Sequence, residues 1–265
     1  MNKKNSIRMK GCLVMIVVLC FMSTGGKLKA QDSTEAILQY ALTALSNDSF
    51  EVAIKNFDEY MKLVGNNPEA YFKRGLSYFY LGKYFEATDD VNKAILLDSN
   101  YAEAYNIRGL ISKRLKNLNE AYRDYTKAIQ LNPDFEEAYN NRGIVLGELK
   151  KYQSAVNDFT KAIMLNPQYV DAYFNRSYIY IQTDEYNRAV LDLNKVIELK
   201  PNFLQAYLSR GMTFYFADKY QNAINDLEYV LKVDSSYEKE LKPYIEEAKR
   251  RLKMQKQQQE QENSN

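Results

Sequence analysis

The chain has 265 residues, with 36 basic and 34 acidic side chains, 23 tyrosines, two cysteines and neither histidine nor tryptophan. Without histidine there is no imidazole to act as general base or to ligate zinc or haem, and both thiols, Cys12 and Cys20, stand in the first twenty residues. No glycine-rich phosphate loop is present, and near-neutral charge gives no basic surface for nucleic acid.

In chain order, Lys3, Lys4, Arg8 and Lys10 precede an apolar run over residues 12–22, followed by a small and polar stretch ending in Leu28, Lys29 and Ala30. This is the pattern of a secretory signal peptide over residues 1–30, with cleavage after Ala30. The apolar run is shorter than the ~20 residues a membrane-spanning helix needs. A second reading is a lipoprotein anchored through Cys20, although Leu19 is larger than the residue such signals carry before the cysteine. An uncleaved anchor is the third. Removing residues 1–30 takes six basic and no acidic residues, leaving a formal charge of −4 on the mature chain. A mature chain without cysteine suits an oxidising compartment. The form of the signal and the Lys- and Asn-rich composition predict export to the periplasm of a Gram-negative bacterium.

From residue 34 to residue 237 the chain repeats with a period of 34, in copies at 34–67, 68–101, 102–135, 136–169, 170–203 and 204–237. Tyr71, Tyr105, Tyr139, Tyr173 and Tyr207 fall at the fourth position. Gly75, Gly109, Gly143 and Gly211 fall at the eighth, where the fifth copy has Ser177, and Ala53, Ala87, Ala121, Ala155, Ala189 and Ala223 fall at the twentieth. Within each copy the apolar residues recur at three- and four-residue spacing in two blocks, which predicts two amphipathic helices joined by a short turn. Small residues at positions eight and twenty let the two helices approach closely. One such hairpin cannot bury its own apolar face, so neighbours must stack, and the expectation is one solenoid domain over residues 31–237. Pro133 and Pro167 push the preceding asparagines out of helical angles and end the second helix; Asp98 and Asp234 end theirs through side-chain turns.

Two positions change together. Position seven is arginine in Arg74, Arg108, Arg142, Arg176 and Arg210, the copies whose position twenty-three is Asp90, Asp124, Asp158, Asp192 and Asp226; the first copy has Tyr40 and Asn56 instead. This predicts an ion-pair ladder along the hairpin seam, structural rather than ligand-binding, within a copy or with the next one. At the ends, Asp32 or Ser33 offers a cap to the first helix. Residues 238–254 read as a capping helix, with Pro243 in its first turn and Ile245, Ala248 and Leu252 facing the stack. Residues 255–265 have too little apolar surface to fold and are expected to be a disordered polar tail.

The 34-residue period, the small eighth and twentieth residues and the closing Pro133, Pro167 and Pro201 resemble the tetratricopeptide repeat. The resemblance implies an all-α, right-handed superhelical solenoid of stacked antiparallel helix pairs, with the first helices lining a concave groove that holds a peptide or partner helix. By position, the groove residues are Phe72, Phe79, Tyr80, Asn106, Asn140, Asn141, Phe174, Asn175, Tyr178, Met212 and Tyr215. Leu76, Leu110 and Ile144 are expected in the core rather than the groove, and Phe72, Asn140 and Phe174 in the groove rather than the core. One subclass of the family grips chaperone C-terminal carboxylates through asparagine, lysine and arginine. Here Asn141 and Asn175 match its sixth-position asparagine, but Glu69, Glu103, Glu137 and Asp171 replace its second-position lysine. An acidic edge repels a carboxylate, so a neutral or basic segment is the expected ligand. The expected function is an exported adaptor, without metal, cofactor or nucleic acid. A structural envelope subunit using its convex face or ends is the alternative, and an enzyme or glycan-binding protein would need a cluster of convergent carboxylates that the sequence does not offer.

Overall fold

The structure, a computed structural model, describes residues 28–262 and is helical in every regular element described. It divides into two compact units, one up to Ile111 and one from Ser112 onward, where the repeat pattern predicted one domain.

The first unit holds α1 (Leu28–Ser46) paired with α2 (Phe50–Val64), and α3 (Pro68–Tyr80) paired with α4 (Tyr84–Leu97), followed by the greater part of α5 (Ala102–Arg114). The expected signal segment lies outside the described residues except for its last three, which form the first turn of α1. Asp32 and Ser33 therefore lie inside α1 rather than capping it: Leu28, Lys29, Ala30 and Gln31, all good helix formers, form its first residues ahead of them. No helix among the described residues is long and apolar enough to cross a membrane.

In the second unit, α6 (Leu118–Leu131) is followed by the hairpins α7 (Glu136–Glu148) with α8 (Tyr152–Leu165), α9 (Val170–Gln182) with α10 (Tyr186–Leu199), and α11 (Leu204–Phe216) with α12 (Tyr220–Val233). A 3₁₀ turn (Ser235–Tyr237) then leads into α13 (Glu238–Glu262). Leu241, Ile245 and Ala248 of α13 are buried, and Leu252 packs with Tyr220 and Ile224 of α12. The disordered tail expected from residue 255 is corrected as far as Glu262. Residues 255–262 contain only Gln, Lys and Glu, which favour a helix once α13 has been nucleated upstream. Pro243 is the sixth residue of α13 rather than part of its first turn.

The core is a series of small clusters rather than one large one. Alanines at positions three, twenty and twenty-seven, such as Ala138, Ala155 and Ala162, are fully buried where helices meet, and Phe57, Phe159, Leu193 and Leu227 at position twenty-four fill the space beside them. A Cβ at Gly143 would stand 2.7 Å from the Phe159 ring, so the close approach of α7 and α8 requires glycine there. Ser177 occupies the same position opposite Leu193, and its hydroxyl donates to the Phe174 carbonyl at 2.6 Å.

Each hairpin turn places its fifteenth residue in the left-handed region: Asp48, Lys116, Lys150, Asp184 and Asp218 lie at φ 54–66°, and Gly82 at 72°. Only Gly82 adopts this without a Cβ penalty. Between hairpins, position thirty-one closes a side-chain turn in four copies, whether or not proline follows. Oδ1 of Asp98, Asn132, Asn166 and Asp234 accepts the backbone N–H two residues on at 2.9–3.1 Å.

Candidate functional site

The ladder residues meet along the hairpin seams. Arg74 donates from Nε and Nη2 to both carboxylate oxygens of Asp90, at 2.7 and 2.6 Å. Arg142 does the same with Asp158 (2.7 and 2.8 Å), Arg176 with Asp192 (2.8 and 2.7 Å) and Arg210 with Asp226 (2.7 and 2.8 Å). Arg108 and Asp124 belong to different units. Each arginine also reaches back with Nη1 to position twenty-five of the preceding copy, a partner that the paired pattern does not reveal. Arg74 donates to Asp58, and Arg108, Arg142, Arg176 and Arg210 donate to Asn92, Thr126, Thr160 and Asn194 at 2.8, 3.3, 2.9 and 2.7 Å. The fourth-position tyrosines Tyr71, Tyr105, Tyr139, Tyr173 and Tyr207 lie 5.2–5.7 Å from these guanidiniums, within cation–π range. The recurring tyrosine, arginine and aspartate thus form one bracket across neighbouring helices.

Hydrogen bonding to Asp90 raises the Arg74 guanidinium against the opposing effect of burial, and Asp226 does the same for Arg210. For Arg142 and Arg176 burial is the largest influence and acts downward, but the bonds and charge of Asp158 and Asp192 prevail. Burial pushes the Asp90 carboxyl above its ordinary range, and Arg74 pulls it back. All these groups are occupied with one another.

The first-helix residues divide into covered and open positions, and the division corrects the expected groove. Phe72 and Asn140, expected to face the groove, are 6% and 4% exposed, and Asn106 is buried as well. Phe174 is half-buried. The cover comes from the last residue of each copy. Tyr101 packs on Phe72 at 4.8 Å between ring centres, Phe203 packs on Phe174 at 5.2 Å, and Tyr169 bonds Asn140 through its side chain. Burial raises the Tyr101 and Tyr169 hydroxyls well above the ordinary tyrosine value. Leu76, Leu110 and Ile144, expected in the core, are only partly covered. The aromatics at position thirty-four (Tyr101, Phe135, Tyr169, Phe203 and Tyr237) were visible in the sequence and were the missed signal.

In the first unit Tyr80 is exposed, with its ring stacked on Phe50 at 5.0 Å, and the half-buried Phe79 is in edge contact with Tyr80 at 5.6 Å. In the second unit Asn175 Nδ2 donates to Asn140 Oδ1 at 3.0 Å, Asn141 is half-buried and Tyr178 is 58% exposed. Met212 and Tyr215 are half-buried, and Tyr215 makes edge contacts with Phe216, Tyr220 and Tyr244 at 5.6, 6.0 and 5.4 Å. Between α7 and α9 a hollow of about 300 Å³ is lined by Ile144, Gly147, Glu148, Asn175, Tyr178 and Gln182, with Tyr152, Phe159 and Ile179 behind them. Position twelve is Gly147 only in this copy, which opened the surface here.

Antiparallel helix pairs in 34-residue units, with small residues where the helices touch, define a helical-repeat solenoid protein. Tetratricopeptide repeat models match residues 68–101, 102–135, 136–169 and 170–203, together half of the chain, and the chain belongs to the tetratricopeptide repeat family. It is similar to MamA (25% identity, TM-score 0.54, 63% of this chain and 92% of that one). It is also similar to PilF of Pseudomonas aeruginosa (18%, TM-score 0.70, 78% and 94%) and to YrrB, described as having an unusual peptide-binding site (22%, TM-score 0.54, 66% and 90%). No curated protein matches the chain. Membership of this repeat family supports a protein-interaction scaffold.

Proposed function

We propose that the chain is an exported adaptor whose first-helix face docks an extended segment of another protein. The observation that carries this is the hollow between α7 and α9, where Gly147, Asn175 and the exposed Tyr178 form a concave, partly apolar surface beside polar groups. Pockets of this character are where ligands are held. The peptide-binding site ascribed to YrrB supports the same reading by analogy of fold. Export rests on the signal pattern of residues 1–30. Sequencing the N-terminus of the mature protein tests it: a start at Gln31 fits cleavage after Ala30, a lipidated Cys20 fits an anchored form, and an intact Met1 in the cytoplasmic fraction rejects export.

A second reading has its own observation. Phe85 and Leu96, eleven residues apart on α4, are 80% and 76% exposed, and eleven residues is three helical turns, so they share one outer stripe. That surface suits a structural subunit held through its convex face. The two readings separate by affinity purification of the tagged chain from envelope extract. Tyr178→Ala with Phe216→Ala should abolish partner recovery, and Phe85→Ser with Leu96→Ser should leave it intact, each variant being checked for helicity. The reverse pattern moves the function to the outer face.

A further inference from the structure

We propose that the hollow between α7 and α9 is a subsite for one cationic side chain, lysine or arginine, of the docked segment; this rests on the peptide-docking reading above. Position twelve carries Phe79, Lys113, Ile181 and Tyr215 in other copies, and glycine only at Gly147. A Cβ there would stand 2.9 Å from Ile179 Cδ1, so the absence of a side chain is what leaves the hollow open. Its floor is apolar: Phe159 and Ile179 are almost fully buried, and Ile144 is partly so. Its rim is polar, with the exposed Glu148 and Gln182, the amide of Asn175 and the ring of Tyr178.

These groups select by charge. Among the described residues, the Glu148 carboxylate accepts no hydrogen bond and has no ion pair. Lys113 of the same unit lies within its electrostatic reach without pairing with it, and burial lowers the Lys113 ammonium while Glu148 raises it. Asn175 already donates Nδ2 to Asn140, leaving its oxygen toward other partners. The rim therefore offers acceptors and an aromatic face. A lysine or arginine lays its aliphatic stem on the apolar floor while its charge meets Glu148 and the Tyr178 ring. An apolar side chain would instead desolvate Glu148 without a partner. An acidic one would meet the like charge of Glu148 on the rim.

The test uses the full chain and fluorescein-labelled nonapeptide sublibraries, random except for a fixed central Lys, Arg, Leu or Glu, read by fluorescence anisotropy. The wild type should bind the Lys and Arg sublibraries roughly tenfold more tightly than the Leu and Glu ones, the scale of a cation–π contact and a partly exposed charge pair together. Glu148→Gln, a surface change that leaves packing intact, should erase the preference, and Glu148→Lys should reverse it toward Glu. Gly147→Leu should weaken all cationic binding by filling the hollow. Equal binding of the four sublibraries, or a cationic preference that survives Glu148→Gln, would overturn the subsite while leaving peptide docking standing. Failure of every sublibrary to bind would overturn both.

Discussion

Removing Arg142 tests the bracket that joins the repeats. Its side chain is 18% exposed and that of Asp158 10%, so both charges are largely withdrawn from water. Arg142→Ala deletes two charge-assisted bonds to Asp158, the bond to Thr126 and the cover over Tyr139, and leaves a carboxylate buried without a partner. The expected loss is about 3–5 kcal/mol. Asp158→Ala should cost less, about 2–3 kcal/mol, because the freed guanidinium keeps Thr126 and Tyr139 and can turn toward water. In the double variant neither charge is stranded, so the combined loss should fall short of the sum by about 1–3 kcal/mol. The chain has no tryptophan, so urea unfolding is followed by circular dichroism. Hydrogen exchange in α7 and α8 is measured alongside, since repeat arrays can unfold in parts and a single global transition cannot be assumed. Additive losses would refute the coupling. A pair of volume-matched apolar replacements, Arg142→Met with Asp158→Leu, separates stability from specificity: retained stability with altered exchange at the seam would assign the bracket to register.

Four further outcomes follow from the geometry. Tyr125→Phe should stabilise the chain by about 1 kcal/mol in the same assay, because the Tyr125 hydroxyl is the buried side-chain polar atom without a partner among the described residues; a loss of stability would show that it is bonded. Lys150→Gly should also stabilise, by about 1 kcal/mol, through relief of the left-handed conformation at φ 58°; a loss would place the native turn's preference elsewhere. Gly143→Ala should destabilise by about 1–3 kcal/mol despite alanine's helix propensity, because of the Phe159 ring, and Phe159→Leu should restore part of it, as in the Ser177 and Leu193 arrangement; an unchanged Tm would refute the packing argument. Glu247 accepts hydrogen bonds from Arg250 and Arg251, which hold its carboxyl down to about 2 from an ordinary 4.5. Its folded pKa is depressed, so its contribution to α13 is present above about 4.5 and is lost as pH falls toward 2. Carboxyl NMR titration should show this and return Glu247 to its ordinary range in Arg250→Gln with Arg251→Gln; an unchanged titration in that variant would refute the assignment.

Much of the fold was legible because its determinants repeat. Six copies of one pattern average out local exceptions, so the period, the alanines at position twenty and the linked arginines and aspartates stood clear of the background. The helix ends were less legible, for two different reasons. Residues 255–262 carry no apolar stripe and were read as a tail, yet the helix propensity of Lys, Gln and Glu is enough once the buried Leu241, Ile245 and Ala248 have fixed the helix upstream. At the start, Asp32 and Ser33 have capping side chains, but a cap is used only where the preceding residues leave the helix, and here Leu28 to Gln31 continue it.

The candidate site was harder because burial depends on contacts between positions far apart in the repeat. Position five faces the first-helix surface by helical geometry alone, so Phe72 and Asn140 read as open; the last residue of the same copy, at position thirty-four, folds over each. The resemblance carried family positions onto this chain without that cover. It also ranked positions by what side chains they hold, which passes over a glycine. Gly147 contributes by what it lacks: it leaves Ile179 and Phe159 as a floor beneath Glu148 and Tyr178. Where every other copy places a side chain at position twelve, the fourth has none, and that single difference is what the proposed subsite is built on.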